Sequence, residues 1–94
     1  MEIRVLKLSG KRELFHRGKL YRSVMVAGAK RDVESGWAES AVNDIENKIL
    51  EGGQSEVSSK LIAEMVMERL VTLDEVAYVR YASSYFEEGG ISEM

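Results

Sequence analysis

Cysteine and proline are both missing from this 94-residue chain, and histidine occurs once, as His16. Without cysteine there can be no disulfide, no thiolate zinc site and no cysteine nucleophile, a composition that fits a reducing compartment. One histidine is too few for a histidine-built metal centre or, in practice, a Ser-His-Asp relay. With no proline, no helix is kinked by that route. Apolar runs are short: none approaches the ~18 residues that cross a bilayer, and the N-terminus has no apolar signal-peptide core. What is present is ordinary for a globular fold, 45% hydrophobic and 31% charged residues. At this length that supports one core and not two. The expectation is a small cytoplasmic domain, away from membranes, that binds something rather than converts it.

The net charge of −3 hides an asymmetry. Residues 1–31 carry nine basic and two acidic side chains, whereas residues 32–94 carry four basic and fourteen acidic ones. A basic first third on an acidic body focuses the local field and attracts anions. A phosphate, a nucleic acid or another subunit's acidic face would each answer to it.

Local patterning gives an α+β order. Ile3 and Val5, with Leu8 as a further candidate, alternate with Arg4 and Lys7 at the period of a half-buried strand. Ser9-Gly10 is a turn pair, and Lys11 to Phe15 returns with Arg12 and Leu14 on one face and Lys11, Glu13 and Phe15 on the other. Helices fill most of the remainder. Arg17 to Ala29 places Leu20, Val24 and Ala27 on one side. Ser35 to Glu51 does the same with Ala38, Ala41, Val42, Ile45 and Ile49, and Gly52-Gly53 stops it. Glu56-Val57 is a candidate third strand. Ser59 to Leu70 turns Ile62, Met65, Val66 and Leu70 inward. Thr72-Leu73-Asp74-Glu75 matches a capping box, with Val71 and Val76 as its staple, so a fourth helix is expected from Thr72 to about Glu87, ended by Gly89-Gly90. The architecture implied is a small four-helix bundle capped by a β-hairpin or a short three-stranded sheet, as a single domain over residues 1–94.

One constellation carries chemistry. Lys7 near the end of the first strand and Lys19 in the first turn of the first helix can converge on one anion, with the helix N-terminus adding partial positive charge. Glu13 on the intervening strand can accept from an amino group, and Val5 and Phe15 offer apolar contact for a base. Other features read more simply as packing. Tyr78, Tyr81 and Tyr85, with Phe86 beside them, form a stripe assigned to core or subunit interface. Arg80 is expected to pair with a glutamate, Trp37 to anchor packing, and Met25, Met65 and Met67 to fill core or interface. His16 reads as a hairpin-to-helix junction residue beside the pocket, with a base contact open to it.

The run from Val5 to Val24, VLKLSGKRELFHRGKLYRSV, resembles the opening of the ATP-cone, V-x-K-R-D-G-x-x-E-x-F-D-x-x-K-[IL]-x-x-S-[IVL], without gaps. Val57 to Leu70 and Leu73 to Tyr85 look like the version found on NrdR-type repressors of ribonucleotide reductase genes. The resemblance spans nearly the whole chain. It implies a helical bundle under a small sheet that binds ATP or dATP, with magnesium, as a regulatory sensor without catalysis. By position it implies phosphate contacts from Lys7 and Lys19, a hydroxyl from Ser59, and Glu13 towards adenine or ribose with Val5 and Phe15 nearby. A homo-oligomer, or control of a partner protein, would receive the signal.

Two departures qualify the match. Leu8 replaces a basic residue, and one lost charge-assisted bond costs roughly 1.5–3 kcal/mol, about ten- to a hundredfold in affinity; Lys11 and Arg12 are near enough in sequence to compensate in part. His16 replaces an aspartate and is expected to be the poorer helix cap. The repressors' cysteine-based zinc ribbon is also absent, so the chain is expected to be a free-standing cone or one piece of a larger protein. By itself it is not expected to hold zinc or contact DNA directly. The alternative reading, motivated by Leu8 and the tyrosines, is a degenerate cone that acts as an oligomerisation or protein-interaction domain without nucleotide. A nucleic-acid binder using the basic third ranks lower, because the rest is acidic and carries no reading motif, and an enzyme ranks lower still.

Overall fold

Three strands form the sheet in the computed structural model, which describes residues 2–87. Strand β1 (Arg4–Leu6) runs antiparallel to β2 (Arg12–Leu14) and parallel to β3 (Glu56–Ser58), so the order is β2-β1-β3. Val5 pairs with Glu13 on one side and Val57 on the other. Strand side chains alternate between faces. Ile3, Val5, Glu13, Phe15 and Val57 therefore look inward, while Arg4, Leu6, Arg12, Leu14 and Glu56 look outward. Arg12 Nε donates to Glu56 Oε1 at 2.7 Å on that outer face.

The hairpin loop has three residues, Leu8-Ser9-Gly10. Lys7 N–H donates to the Lys11 carbonyl at 2.8 Å, and Gly10 N–H donates to the Lys7 carbonyl at 2.9 Å. Gly10 has φ +91°, the left-handed conformation that such a loop requires and that a side chain disfavours. Leu8 consequently belongs to the turn and not to the strand alternation.

Four helices follow: α1 (Arg17–Ala27), α2 (Trp37–Glu51), α3 (Ser59–Leu73) and α4 (Glu75–Tyr85). Their inward stripes are those the spacing predicts. Leu20, Val24 and Ala27, the five α2 positions, and Ile62, Val66 and Leu70 are all buried; Met65 is half-buried against them. Burying an aliphatic side chain of this size contributes about 1.5–3 kcal/mol, so this shared core holds the bundle together. Surface links between helices, Arg17 to Glu46 and Asn43 and Arg69 to Asp44, add comparatively little.

Boundaries differ from the expectation at three places. The first helix stops at Ala27, because Gly28 is packed under Trp37 and Lys30 takes φ +61°, which turns the backbone away. The second begins at Trp37 with Gly36 at its N-cap, so Ser35 does not start it. The capping box at Thr72 does not form. Thr72 stays within α3, its hydroxyl donating to the Arg69 carbonyl at 3.2 Å. Asp74, with extended backbone, both ends α3 and caps α4: its N–H donates to the Leu70 carbonyl at 3.1 Å, and its carboxylate accepts from Ala77 N–H at 3.0 Å. Val71 and Val76 are exposed and form no staple. Aspartate caps at least as well as threonine and here also meets Arg31, which explains why it wins. The Gly89-Gly90 stop lies outside the described residues.

Candidate functional site

A cavity of about 640 Å³ opens between the inner face of the sheet, one side of α1, the start of α3 and the second half of α4. Strand alternation brings Val5, Glu13 and Phe15 to it, and the hairpin turn adds Lys7 and Leu8. Helix α1 contributes Lys19, Leu20, Ser23, Val26 and Ala27, the i, i+4, i+7 repeat of a single helical face. From Lys19 to Ala27 that wall extends about 12 Å. The remaining sides come from Ser59, Ile62 and Ala63 on α3 and from Arg80, Tyr81, Ser84 and Tyr85 on α4.

All seven candidate site residues, Val5, Lys7, Glu13, Phe15, His16, Lys19 and Ser59, therefore border one cavity. His16 serves as the N-cap of α1. Its backbone is extended, and its Nδ1 accepts from Lys19 N–H at 3.1 Å, which requires that nitrogen to be unprotonated. The same hydrogen bond fixes the first turn of α1 beneath the Lys19 side chain. Lys19 Nζ lies 3.6 Å from Glu13 Oε2 and remains 69% exposed, so the pair is loose and its ammonium is available to a ligand. Compensation by Arg12 is not supported, since it is engaged with Glu56 on the far face of the sheet; Lys11 is exposed and does not line the cavity. Leu8 does line it, placing an apolar side chain beside Lys7.

Helix α4 supplies what sequence reasoning assigned elsewhere. Tyr78 and Tyr81 pack on the core as expected, and Tyr81 with Tyr85, four residues apart on one face, also forms part of the cavity wall. Phe86 sits against Tyr85 with ring centroids 5.5 Å apart. Among the described residues Arg80 makes no glutamate pair; its Nη1 donates to the carbonyls of Ala27 at 3.3 Å and Ala29 at 2.8 Å. The Tyr81–Tyr85 spacing, flanked by Arg80 and Ser84 at the same interval, was the available signal.

A two-point ion pair joins the turn after α1 to the start of α4. Arg31 Nε and Nη2 grip both oxygens of Asp74 at 2.8 and 3.1 Å. That hydrogen bonding, helped by Ala77 N–H, holds the Asp74 carboxyl below the usual carboxylate range and raises Arg31 in turn.

A cleft within the size range of small-ligand sites, cationic around Lys7 and Lys19 and aromatic along α4, defines a binding module on an α+β frame. Comparison with known proteins gives that module its family. The ATP cone domain matches residues 3–89, and the chain belongs to this family. It is also similar to curated proteins named transcriptional repressor NrdR. The identity is 48% with that of Lactobacillus helveticus, covering 88% of this chain and 54% of the relative. It is 49% with that of Bradyrhizobium diazoefficiens, covering 89% and 52%. With that of a Methylobacterium species it is 50%, covering 89% and 45%. The chain thus spans about half the length of the curated relatives it matches.

Proposed function

We propose that this chain is a non-catalytic sensor that binds ATP or dATP in the cavity and passes its occupancy on to copies of itself or to a partner protein, in the service of ribonucleotide reductase control. The observation that carries this reading is the approach of Lys7 from the sheet and Lys19 from α1 to a single cleft with an aromatic wall. Lys7 and Lys19 hold the phosphates, aided by the α1 N-terminus and the Ser59 hydroxyl. Glu13 stands beside Lys19, so the ligand group it meets is the ribose next to the phosphates. Val5 and Phe15 cover the base, and His16 holds α1 in register beneath it.

Magnesium is compatible only as a companion of the phosphates. Among the described residues no group of three or more metal-ligating side chains occurs, and Glu13 is the one carboxylate bordering the cavity. A hard cation that keeps several waters and is held mainly through phosphate oxygens suits such a site. By similarity to the repressors, the chain corresponds to a regulatory portion of such a protein.

Isothermal calorimetry and native mass spectrometry with ATP and dATP test the proposal together. Binding is expected with a change in oligomeric mass. Lys7→Ala and Lys19→Ala should each weaken affinity by about ten- to a hundredfold, the worth of a hydrogen bond to a charged group. No binding heat at millimolar nucleotide would overturn the reading. It would favour the second one, an association domain with a vestigial pocket, for which Leu8 on the cavity wall and the exposed Val26 at its rim are the observations.

A further inference from the structure

The end of α1 remote from Lys19 carries an arrangement that nucleotide binding alone does not use. Of the two carbonyls that Arg80 holds, that of Ala27 is among those a helix C-terminus leaves unpaired and partially negative, and that of Ala29 lies in the turn just beyond. Between those two carbonyls sits Gly28, buried, with the Trp37 ring so close that a Cβ there would come within 2.4 Å of its Cζ2. Arg31, just beyond, reaches back to Asp74 at the start of α4. Residues 27–31 are therefore fastened to α4 at two points. On the other side of this turn lies a groove of about 250 Å³ framed by Tyr21, Met25, Val33 and Trp37. Helix α1 stands between the cavity and the groove, with Arg80 on one side and Trp37 on the other.

We propose that Arg80 is a positioning residue through which an occupied cavity is felt at the Trp37 groove. The inference rests on the nucleotide reading, because it needs an anion in the cavity. A guanidinium has five N–H donors, and the two carbonyls engage only Nη1. Bonds to charged phosphate oxygens are stronger than bonds to neutral carbonyls. A polyphosphate anchored at Lys19 and extending along the α1 wall towards α4 competes for the guanidinium, which also lines the cavity, loosens its hold on the Ala27 and Ala29 carbonyls, and lets the backbone under Trp37 shift. The ligand biases the turn because it interacts differently with the two positions of one side chain.

Trp37 is the single tryptophan of the chain, so its fluorescence reports on this turn without labelling. In the intact wild-type protein, ATP should change Trp37 emission in proportion to saturation measured by calorimetry. In Arg80→Gln, calorimetry should still register ATP, with Kd raised by about tenfold or less. Its emission should start near the ligand-bound value and change no further. Arg80→Lys, which keeps the charge but donates from one point, should respond in part and serves as the test if the glutamine variant does not fold. A full emission response in either variant overturns the inference. So does wild-type protein that binds ATP with no emission change, which leaves the nucleotide reading intact. Absence of calorimetric binding in wild type instead removes the nucleotide reading, and with it this one.

Discussion

Replacing Gly28 with alanine puts the packing argument at its sharpest. The backbone there is in no left-handed conformation, with φ −93°, so an alanine fits the chain and fails only for want of room. Its Cβ would stand 2.4 Å from Trp37 Cζ2 and 3.2 Å from Cε2 and Cη2. Carbon atoms prefer about 3.5–4.0 Å, so the ring must retreat by roughly 1 Å from its nearest contact. The ring cannot do this freely, since Trp37 opens α2 and packs against the core. Overpacking of this kind costs about 1–3 kcal/mol, and the lower chain entropy of alanine returns about 0.4–1 kcal/mol. A net loss of about 1–2 kcal/mol should lower Tm by roughly 5–15 °C in a domain of this size. Thermal unfolding followed by circular dichroism, with Trp37 emission recorded on the folded state, measures both the loss and the displaced ring. Gly52→Ala is the matched control. Gly52 has helical φ −66°, and its Cβ would meet only the Ile49 carbonyl oxygen at 3.4 Å and the Lys48 carbonyl oxygen at 3.7 Å, so stability should hold or rise. An unchanged Tm and emission for Gly28→Ala would refute the reasoning.

Two further outcomes are expected. Because Arg31 and Ala77 N–H hold the Asp74 carboxyl below its ordinary pKa, the stabilisation from this group is complete above the unfolded carboxylate value of about 3.9 and is lost as pH falls through the folded value. Asp74→Asn keeps a capping oxygen but drops the charge, so wild type should melt higher at neutral pH and the gap should close on acidification; a gap independent of pH counts against the pairing. His16→Asp brings a stronger cap and a negative charge to a helix with no acidic residue in its first turn. It should add about 0.3–1 kcal/mol, raising Tm by roughly 1–8 °C, and a lower Tm would show that the histidine hydrogen bond is worth more than supposed.

Periodicity made the core legible. A stripe such as Ala38, Ala41, Val42, Ile45 and Ile49 leaves a helix little choice of which side to bury, and strand alternation likewise sent Val5, Glu13 and Phe15 inward. Boundaries were less legible because competing local signals are settled by distant partners. Thr72 and Asp74 both suit a cap, and the deciding guanidinium of Arg31 lies 43 residues away. The sheet and α1 sides of the cavity could be placed from the motif because Lys7, Glu13 and Lys19 are close in sequence. The α4 side could not. Tyr81 and Tyr85 differ from Tyr78 only in what the fold sets opposite them, and the partners of Arg80 are backbone carbonyls that leave no mark in a sequence.

The parallel pairing of β1 with β3 has a consequence for the order of events during synthesis. These neighbours are separated by some fifty residues that contain all of α1 and α2. A growing chain exposes the hairpin lysines before Ser59 and the α4 tyrosines have been made, and closing so long a loop carries an entropic cost that only the assembled core offsets. A ribosome-bound fragment that stops before β3 would display the cationic half of the cleft without its opposite wall. Tight occupancy would then be a property that only the finished domain acquires.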